Sequence, residues 1–137
     1  MRVLVIDDDE IVRELLVSLL QDGGHVTFEL QSPIGATQKI LREHIEVVIL
    51  DVMMPGLSGD KLAKMLRSHP RLKSTAIVLV SSCAIDQLKE LADRVEADAV
   101  VPKSDVRRRL LDEVNRAARL ASHRATSSNA IKPPVRS

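Results

Sequence analysis

Carboxylate side chains follow two short apolar runs of the chain, at Asp7-Asp8 and at Asp51. A hydroxyl at Ser81 and an ammonium at Lys103 follow two further runs of the same kind. An aspartate flanked by a divalent cation and a lysine can attack a phosphoryl group, because positioned positive charge stabilises the transition state. The chemistry predicted from these residue types is therefore acceptance of a phosphoryl group on Asp51.

The three carboxylates of Asp7, Asp8 and Asp51 need a partner cation if the fold brings them together. Carboxylates that lie within several ångströms of one another repel and raise one another's pKa values unless a cation neutralises them. Mg²⁺ prefers oxygen ligands, keeps several waters and commonly takes one or two carboxylates together with phosphate oxygens. The sequence therefore predicts a Mg²⁺ site built from these aspartates, which Mn²⁺ could also occupy.

Short apolar runs rich in β-branched residues alternate with longer stretches of helical periodicity along the chain. This alternation predicts buried parallel strands joined by crossover helices, an α/β fold in which the βα unit occurs five times. The predicted strands cover residues 3–6, 26–30, 47–50, 76–80 and 99–101. Because ligands bind beyond the carboxyl ends of the strands in such sheets, the polar residues that follow four of these strands are expected to meet at one edge.

Each of the five predicted helices has one apolar face to bury. Gly23-Gly24 is expected to end the first helix by supplying a positive φ, and Ser32-Pro33 is expected to begin the second helix as an N-cap followed by proline. The apolar positions are, in chain order, Ile11, Val12, Leu15, Leu16, Leu19 and Leu20 of the first helix, Ile34, Ile40 and Leu41 of the second, Leu62, Met65 and Leu66 of the third, Leu88, Leu91, Ala92 and Val95 of the fourth, and Val106, Leu110, Val114 and Ala117 of the fifth.

The length and composition predict one globular domain followed by a tail. A chain of 137 residues that is 45% hydrophobic can bury one sizeable core. After residue 121 the sequence is polar and contains proline, with neither helical nor strand periodicity. We therefore expect a domain over residues 1–121 and a flexible C-terminal tail over residues 122–137.

The overall composition argues against several classes of function. Lys and Arg number 20 against 19 Asp and Glu, so the field of the whole molecule gives no general attraction to nucleic acid or anionic lipid. Phe28 is the only aromatic residue among Phe, Trp and Tyr, which leaves no platform for stacking bases. No apolar run approaches the roughly 20 residues that cross a bilayer, and the lone Cys83 has no partner for a disulfide. We expect a cytoplasmic protein that binds neither nucleic acid directly nor membrane.

Over residues 2–121 the sequence resembles the receiver domains of bacterial two-component response regulators. Four segments in order carry the resemblance: VLVIDD at residues 3–8, VILDVMMPG at 48–56, VLVSS at 78–82 and ADAVVPK at 97–103. Each segment alone is modest evidence for this family, but the four segments in this order are strong evidence. The resemblance implies a flavodoxin-like receiver fold, which is a doubly wound, five-stranded parallel sheet of strand order 2-1-3-4-5 with five helices.

The resemblance also implies a role for each matching residue of the acidic pocket. Asp51 corresponds to the phosphoacceptor, and Asp7 and Asp8 correspond to the acidic pair that holds Mg²⁺. Met53 corresponds to the residue whose backbone carbonyl joins the metal ligands, together with Asp51. A pocket of this kind assists the phosphorylation and dephosphorylation of its own aspartate and is not otherwise an enzyme.

On the phosphoryl side of the pocket, Ser81 corresponds to the switch hydroxyl, with Ser82 beside it, and Lys103 corresponds to the basic residue that pairs with the phosphoryl group. The implied donor is a sensor histidine kinase or a histidine phosphotransfer protein of a phosphorelay. No DNA-binding output domain is expected in this chain, so output would be phosphorylation-dependent contact with an unknown protein, or onward phosphotransfer. We expect a stand-alone receiver that is a monomer or a weak phosphorylation-dependent dimer.

The sequence departs from the family pattern just before Lys103. Most receivers carry an aromatic residue where this chain has Val100, and that ring changes rotamer when the switch hydroxyl moves. Valine has no ring to swing, so we expect output through backbone shifts of residues 82–85 and of the fourth and fifth helices. Val100, Arg107 and Arg108 are the predicted output surface. Six arginines make residues 105–124 locally basic, as either a solvated helix face or a docking face for an acidic partner: Arg107, Arg108, Arg109, Arg116, Arg119 and Arg124.

Two other functions remain open on the sequence alone. Haloacid-dehalogenase-like phosphatases also use an aspartyl nucleophile at a strand end with Mg²⁺, but they need a second aspartate two residues further on, where this chain has Met53. A phosphate-independent interaction module could retain the same fold, although the complete set of pocket residues argues against it.

Overall fold

The structure is a computed structural model that describes the backbone of residues 1–53 and 59–131 and the side chains of residues 1–53 and 61–124. None of the helices in these ranges is both long and apolar enough to cross a membrane. The strands are β1 (Arg2–Ile6), β2 (Val26–Leu30), β3 (Val47–Asp51), β4 (Ala76–Ser81) and β5 (Ala99–Pro102). The helices are α1 (Glu10–Asp22), α2 (Ala36–Glu43), α3 (Gly59–Ser68), α4 (Ile85–Val95) and α5 (Val106–Ile131), with short 3-10 turns at Pro70–Leu72 and Lys103–Asp105.

All five strands are parallel and lie in the order β2-β1-β3-β4-β5, which confirms the predicted doubly wound fold. In this register Leu50 pairs with Ile6 of β1, and the next residue, Asp51, pairs with Val80 of β4. Ser81 in turn pairs with Pro102 at the end of β5. The carboxyl ends of these four strands therefore meet at one edge of the sheet.

The alternating side chains of the sheet bury two apolar layers, one on each face. Leu4, Ile6 and Leu50 pack with α2, α3 and α4 on one face, whereas Val3 and Val5 pack with α1 and α5 on the other. All five residues of β3 are buried, because a central parallel strand is covered by helices on both sides. The continuous apolar run that ends at Asp51 is therefore what places this carboxylate at the edge of the core.

Helix α1 ends at the glycine pair as the sequence predicts, but Ile11 of its predicted apolar face is 80% exposed. Asp9 caps its N-terminus by accepting hydrogen bonds from the amides of Ile11 at 3.0 Å and Val12 at 3.2 Å. Gly24, with φ of +87°, supplies the left-handed residue after the helix, while Gly23 keeps a φ of −82°. This cap fixes the start of α1 directly after the acidic pair.

Helix α2 begins at Ala36, so the predicted start at Ser32-Pro33 is wrong. Ser32 Oγ accepts the amide of Ile34 at 3.3 Å, and Ala36 donates to the Pro33 carbonyl at 3.1 Å, so these residues form a turn. Gly35 has a φ of +82°, a left-handed conformation that cannot belong to a right-handed helix. As a result Ile34 is 85% exposed and gives α2 none of the apolar contact expected of it.

The buried face of α3 consists of Leu62, Ala63 and Leu66. The sequence predicted Met65 on this face as well, but its side chain is 52% exposed. Leu62 and Leu66 are one helical turn apart and lie over the same strip of the sheet, and Met65 is rotated away from that strip. Leu88, Ala92 and Val95 of α4 and Val106, Leu110, Val114 and Ala117 of α5 are buried as predicted.

Helix α5 continues to Ile131, although the sequence predicted a flexible tail from residue 122. Arg124 holds this part of the helix against the body of the domain, since its Nε donates to the Lys73 carbonyl at 2.9 Å and its guanidinium pairs with Asp98. No local sequence pattern predicts a contact between residues as far apart in the chain as Arg124 and Lys73. The tail prediction is therefore corrected for residues 122–131, and residues 132–137 lie outside the described part of the chain.

Asp98 is the centre of a buried ionic cluster at the end of the sheet opposite the acidic residues. Its carboxylate lies 2.6 Å from Arg67 Nη2 and also pairs with Arg124, while Oδ2 accepts the amide of Ile77 at 2.9 Å. Burial lowers the pKa of the Arg67 guanidinium, and the charge of Asp98 opposes that effect. The cluster ties α3, α5 and the start of β5 together.

Candidate functional site

The structure brings together four of the predicted site residues, Asp7, Asp8, Asp51 and Lys103. Carboxylate oxygens of the three aspartates all lie within 4.8 Å of one another. Lys103 Nζ lies 3.3 Å from Asp51 Oδ2 and 3.4 Å from Asp7 Oδ2. Three acidic groups and one cation from the ends of β1, β3 and β5 thus form a single cluster.

Asp7 is fully buried at the end of β1 and carries an unsatisfied oxygen. Its Oδ1 accepts the amide of Asp9 at 2.9 Å, whereas Oδ2 accepts no hydrogen bond among the described residues, although Lys103 is at ion-pair distance. Burial raises the pKa of the Asp7 carboxyl, and the charge of Asp51 raises it further against the opposing Asp9 amide and Lys103 ammonium. A buried carboxylate oxygen without a hydrogen bond can bind a further cation.

Asp51 is 2% exposed, and both of its carboxylate oxygens have a partner. Oδ1 accepts the amide of Met53 at 3.0 Å, which orders the first two residues after β3, and Oδ2 accepts a hydrogen bond from Lys103. The Met53 side chain points to solvent and is 65% exposed. The carboxylate therefore has a fixed orientation before any ligand arrives.

Lys103 follows β5 directly, on the first residue of a short 3-10 turn. Burial alone would lower the pKa of its ammonium, but the charges of Asp51 and Asp7 outweigh this effect and raise the pKa above its usual value. Lys103 is therefore a permanent cation near neutral pH, and it holds two buried carboxylates that would otherwise repel each other.

The cluster fits a divalent cation with oxygen ligands. Three carboxylates face one ammonium, so the cluster keeps a net negative charge when all of them are ionised. Asp7 and Asp51 are buried while Asp8 is exposed, and this arrangement leaves one side of the cluster open to water. A small, hard cation such as Mg²⁺ takes a few carboxylates and retains waters at its remaining positions.

Ser81 lies at the same sheet edge but makes a different contact. It is fully buried, and its Oγ accepts the amide of Cys83 at 3.2 Å. Within the described residues it makes no hydrogen bond to Asp51 or Lys103. Ser82 is exposed beside it. The structure thus places the Ser81 hydroxyl at the end of the strand next to β3 and leaves it outside the ion-paired cluster.

The predicted output residues fall into two separate places. Val100 is nearly buried and lines a cavity of about 440 Å³ between α4 and α5, together with Arg109 and Arg116. Arg107 and Arg108 are exposed on the first turn of α5 and do not line this cavity. Val100 thus shares this cavity with two other arginines of the basic segment, and the predicted output surface of Val100, Arg107 and Arg108 is not one continuous lining.

One residue beside the acidic pair was not predicted from the sequence. Arg13 of α1 donates from Nη1 to the backbone carbonyl of Asp7 at 2.7 Å and from Nε to Glu29 of β2 at 3.1 Å. Its only sequence signal is a single cation in the second turn of a helix that starts directly after the acidic residues. That spacing alone does not distinguish it from a solvated arginine.

The sequence of the chain matches a protein-family model and is similar to several known proteins. The model of the family described as "Response regulator receiver domain" matches residues 3–115. The response regulator protein FleR of Pseudomonas aeruginosa is 34% identical over 118 residues, which is 85% of this chain and 24% of FleR. The transcriptional regulatory protein GltR of the same species is 29% identical over 119 residues, 87% of this chain and 49% of GltR. The chain thus spans half or less of the length of these relatives.

Solved structures give the same relationship. The chemotaxis protein CheY4 of Vibrio cholerae superposes with a TM-score of 0.77 at 26% identity, over 85% of this chain and 97% of CheY4. The BeF3-activated N-terminal receiver domain of RstA from Klebsiella pneumoniae superposes with a TM-score of 0.77 at 25% identity, over 87% of this chain and 99% of that domain. Both are similar to this chain along nearly their whole length.

Proposed function

Because this chain belongs to the family of response regulator receiver domains, we propose that Asp51 accepts a phosphoryl group from a phosphohistidine protein in a Mg²⁺-dependent reaction. The observation that carries the proposal is the position of Lys103, whose ammonium lies 3.3 Å from Asp51 and 3.4 Å from Asp7. A buried carboxylate already paired with a cation, beside further carboxylates that could share a metal, is suited to bind and react with a phosphoryl group.

The proposed reaction is an in-line displacement at phosphorus. A carboxylate oxygen of Asp51 forms the new P–O bond while the P–N bond to the donor histidine breaks. The bonding electrons leave with the imidazole nitrogen, which takes up a proton from water, and Asp51 becomes an acyl phosphate. Lys103 is close enough to move from the Asp51 carboxylate to the phosphoryl oxygens and pair with their charge.

Asp7, Asp8 and Asp51 are the residues that would hold Mg²⁺, with the Met53 carbonyl as a further ligand. The unsatisfied Oδ2 of Asp7 and the net negative charge of the cluster support this assignment. When bound, the ion supplies positive charge that stabilises the phosphoryl oxygens in the transition state. The protein's part is to keep the three carboxylates close together before the donor arrives.

Ser81 is assigned the role of reading the phosphoryl group. Its Oγ already accepts the Cys83 amide and still has a proton to donate, so it can bind a phosphoryl oxygen without losing its present partner. Any shift of Ser81 toward Asp51 pulls on Cys83 and the backbone of residues 82–85, which lead into α4. Because Val100 has no ring to reorient, we assign the output signal to this backbone path and to the α4 and α5 surfaces.

The proposed partners are a sensor histidine kinase or a histidine phosphotransfer protein as donor and an unidentified downstream protein as target. The pocket supports a phosphoacceptor and signalling role. Asp51 is followed at the position of a phosphatase general acid by Met53, whose exposed thioether cannot transfer a proton. This observation disfavours the phosphatase alternative.

The direct test incubates the protein with Mg²⁺ and acetyl phosphate and measures its intact mass. We expect a gain of one phosphoryl group that hydroxylamine removes, because hydroxylamine cleaves an acyl phosphate and leaves a serine phosphate intact. The gain should be absent in Asp51→Asn and after chelation of Mg²⁺.

The matched control is Asp86→Asn, which replaces an exposed aspartate on α4 that is outside the acidic cluster. This variant should gain the phosphoryl group as the wild type does. Absence of an adduct with acetyl phosphate, phosphoramidate and purified phosphohistidine donors alike would contradict the proposal. A hydroxylamine-resistant adduct would move the modification to a hydroxyl group.

A further inference from the structure

Arg13 makes two contacts that converge on the backbone of the acidic pair. Its side chain is 14% exposed, and it reaches from α1 to the Asp7 carbonyl at 2.7 Å and to the Glu29 carboxylate of β2 at 3.1 Å. From these contacts we infer that Arg13 is a positioning residue for the metal site, which orients Asp8 by fixing the peptide bond between Asp7 and Asp8. This inference rests on the proposed Mg²⁺-dependent function.

The atom that Arg13 binds is what gives it this role. The Asp7 carbonyl belongs to the same planar peptide unit as the Asp8 amide, so fixing the carbonyl oxygen also fixes the plane from which the Asp8 side chain departs. The Asp8 carboxylate is exposed and accepts no hydrogen bond among the described residues. Its direction therefore depends on the backbone that carries it.

The other hydrogen bonds of Asp7 do not involve the carbonyl of the peptide bond between Asp7 and Asp8. The Asp7 amide donates to the Leu30 carbonyl at 3.2 Å, and Asp7 Oδ1 accepts the Asp9 amide at 2.9 Å. These bonds hold the Asp7 amide and side chain, while Arg13 is the side chain that binds its carbonyl. The planar guanidinium can satisfy Glu29 and this carbonyl together because its N–H groups form a rigid fork.

Arg13 could instead serve only to tie α1 to β2, and that role predicts a different result. A purely structural tie would change the unfolding free energy of the metal-free protein and leave its metal affinity unchanged. A positioning role predicts weaker metal binding in a protein that is still folded. The maximal phosphorylation rate at saturating Mg²⁺ should be retained, because Arg13 contacts neither Asp51 nor Lys103.

The experiment measures binding of Mn²⁺ alone from the electron paramagnetic resonance signal of the free ion. Arg13→Ala should weaken Mn²⁺ binding about tenfold, the range typical for groups that orient metal ligands. Arg13→Lys keeps one donor that can reach the Asp7 carbonyl and should recover part of the loss. In acetyl phosphate assays, Arg13→Ala should raise the Mg²⁺ concentration for half-maximal rate by a similar factor.

The matched control is Arg2→Ala at the opposite end of β1. Arg2 Nε also donates to a backbone carbonyl, that of Glu43, at 2.6 Å, but far from the acidic pair. This variant should bind Mn²⁺ like the wild type. Glu29→Gln gives a second test if Arg13→Ala does not fold, because it weakens the hold on Arg13 and should reduce affinity by a smaller factor.

Equal Mn²⁺ affinity in wild type and in the folded Arg13 or Glu29 variants would overturn the role of Arg13 and leave the proposed function intact. Absence of Mn²⁺ binding and of Asp51 phosphorylation in the wild type would overturn both.

Discussion

Lys103 and Asp51, 52 positions apart in the chain, are joined by a hydrogen bond of 3.3 Å between Nζ and Oδ2. The bond exists because β5 and β3 end at the same edge of a parallel sheet, with β4 between them. It places a cation beside a carboxylate that is 2% exposed before any ligand is bound. The cation that the proposed phosphoryl transfer to Asp51 requires is thus already beside this carboxylate in the structure.

Replacing Lys103 by Met is expected to slow phosphorylation of Asp51 by about 100-fold, the usual effect of removing one charge-stabilising group from an active site. The substitution keeps the length of the side chain and removes the cation that is proposed to pair with the phosphoryl oxygens. The measurement is the rate of mass gain with acetyl phosphate at saturating Mg²⁺. Lys64→Met, which changes an exposed lysine of α3, should react at the wild-type rate. A Lys103→Met variant as fast as this control would remove Lys103 from the mechanism.

The contribution of Asp7 to the stability of the metal-free protein should fall as the pH rises. Burial raises the pKa of Asp7 in the folded state above its ordinary value of 3.8, so between these two pKa values the folded state keeps a proton that the unfolded state has lost. The contribution of Asp7 to the free energy of unfolding should therefore fall with rising pH through that window and level off above the raised pKa. Urea unfolding followed by circular dichroism in chelator, from about pH 4 to about pH 8, measures this slope.

The control for the pH effect is Asp7→Asn, which keeps the shape of the side chain and cannot ionise. This variant should lack the downward slope and be more stable than the wild type at neutral pH without metal. Lys103 does not produce the slope, because its raised pKa keeps its contribution complete up to its ordinary value of 10.5. Saturating Mg²⁺ should stabilise the wild type more than the variant, and an equal gain in both would contradict the assignment of Asp7 as a ligand.

The sheet and the acidic cluster could be predicted because their signals are local. A run such as that of β3 is apolar throughout because parallel strands are covered on both faces, and all of its residues are buried. The first polar residue after each of these runs then lies at the common edge, and this rule predicted that Asp7, Asp51 and Lys103 would meet there. The same local reasoning predicted the wrong start for α2. Ser32-Pro33 fits a helix start, but the left-handed conformation of Gly35 prevents the helix from beginning there.

The contacts that were not predicted join arginine side chains to backbone carbonyls outside their own helices. Arg13 binds a carbonyl, and Arg124 binds the carbonyl of Lys73, 51 positions away. A carbonyl acceptor is present at every residue, so sequence gives no sign of which one an arginine will reach. Arg124 makes such a contact in the part of α5 beyond residue 121, where the sequence predicted a tail.

The two arginines around Asp98 should contribute unequally to stability. Arg67 is 9% exposed and also donates to the carbonyls of Thr75 at 2.8 Å and Glu96 at 2.9 Å, so Arg67→Ala should lower the free energy of unfolding by about 3 kcal/mol or more. Arg124 is 34% exposed, and its loss leaves Asp98 paired with Arg67, so Arg124→Ala should cost only about 1 kcal/mol. Urea unfolding by circular dichroism measures both.

Arg119→Ala is the control for these two variants, since it removes an exposed arginine of α5, the helix that carries Arg124. It should change the free energy of unfolding by less than about 0.5 kcal/mol. The double variant Arg67→Ala with Arg124→Ala should lose more than the sum of the single losses, because Asp98 is then buried without a cation. Strict additivity would mean that Asp98 does not couple the two arginines.

Substituting either of the adjacent glycines after α1 should lower the free energy of unfolding, and the physical reason differs between the two. A Cβ on Gly23 would lie 2.5 Å from Leu111 Cδ2 of α5, so Gly23→Ala should cost about 1–2 kcal/mol by crowding. A Cβ on Gly24 meets nothing within 4 Å, but its φ of +87° should make Gly24→Ala cost about 1 kcal/mol through backbone strain. Adding Leu111→Ala to each variant separates the causes in urea unfolding, because it should abolish the penalty of Gly23→Ala and leave that of Gly24→Ala unchanged. Rescue of both, or of neither, would contradict the assigned causes.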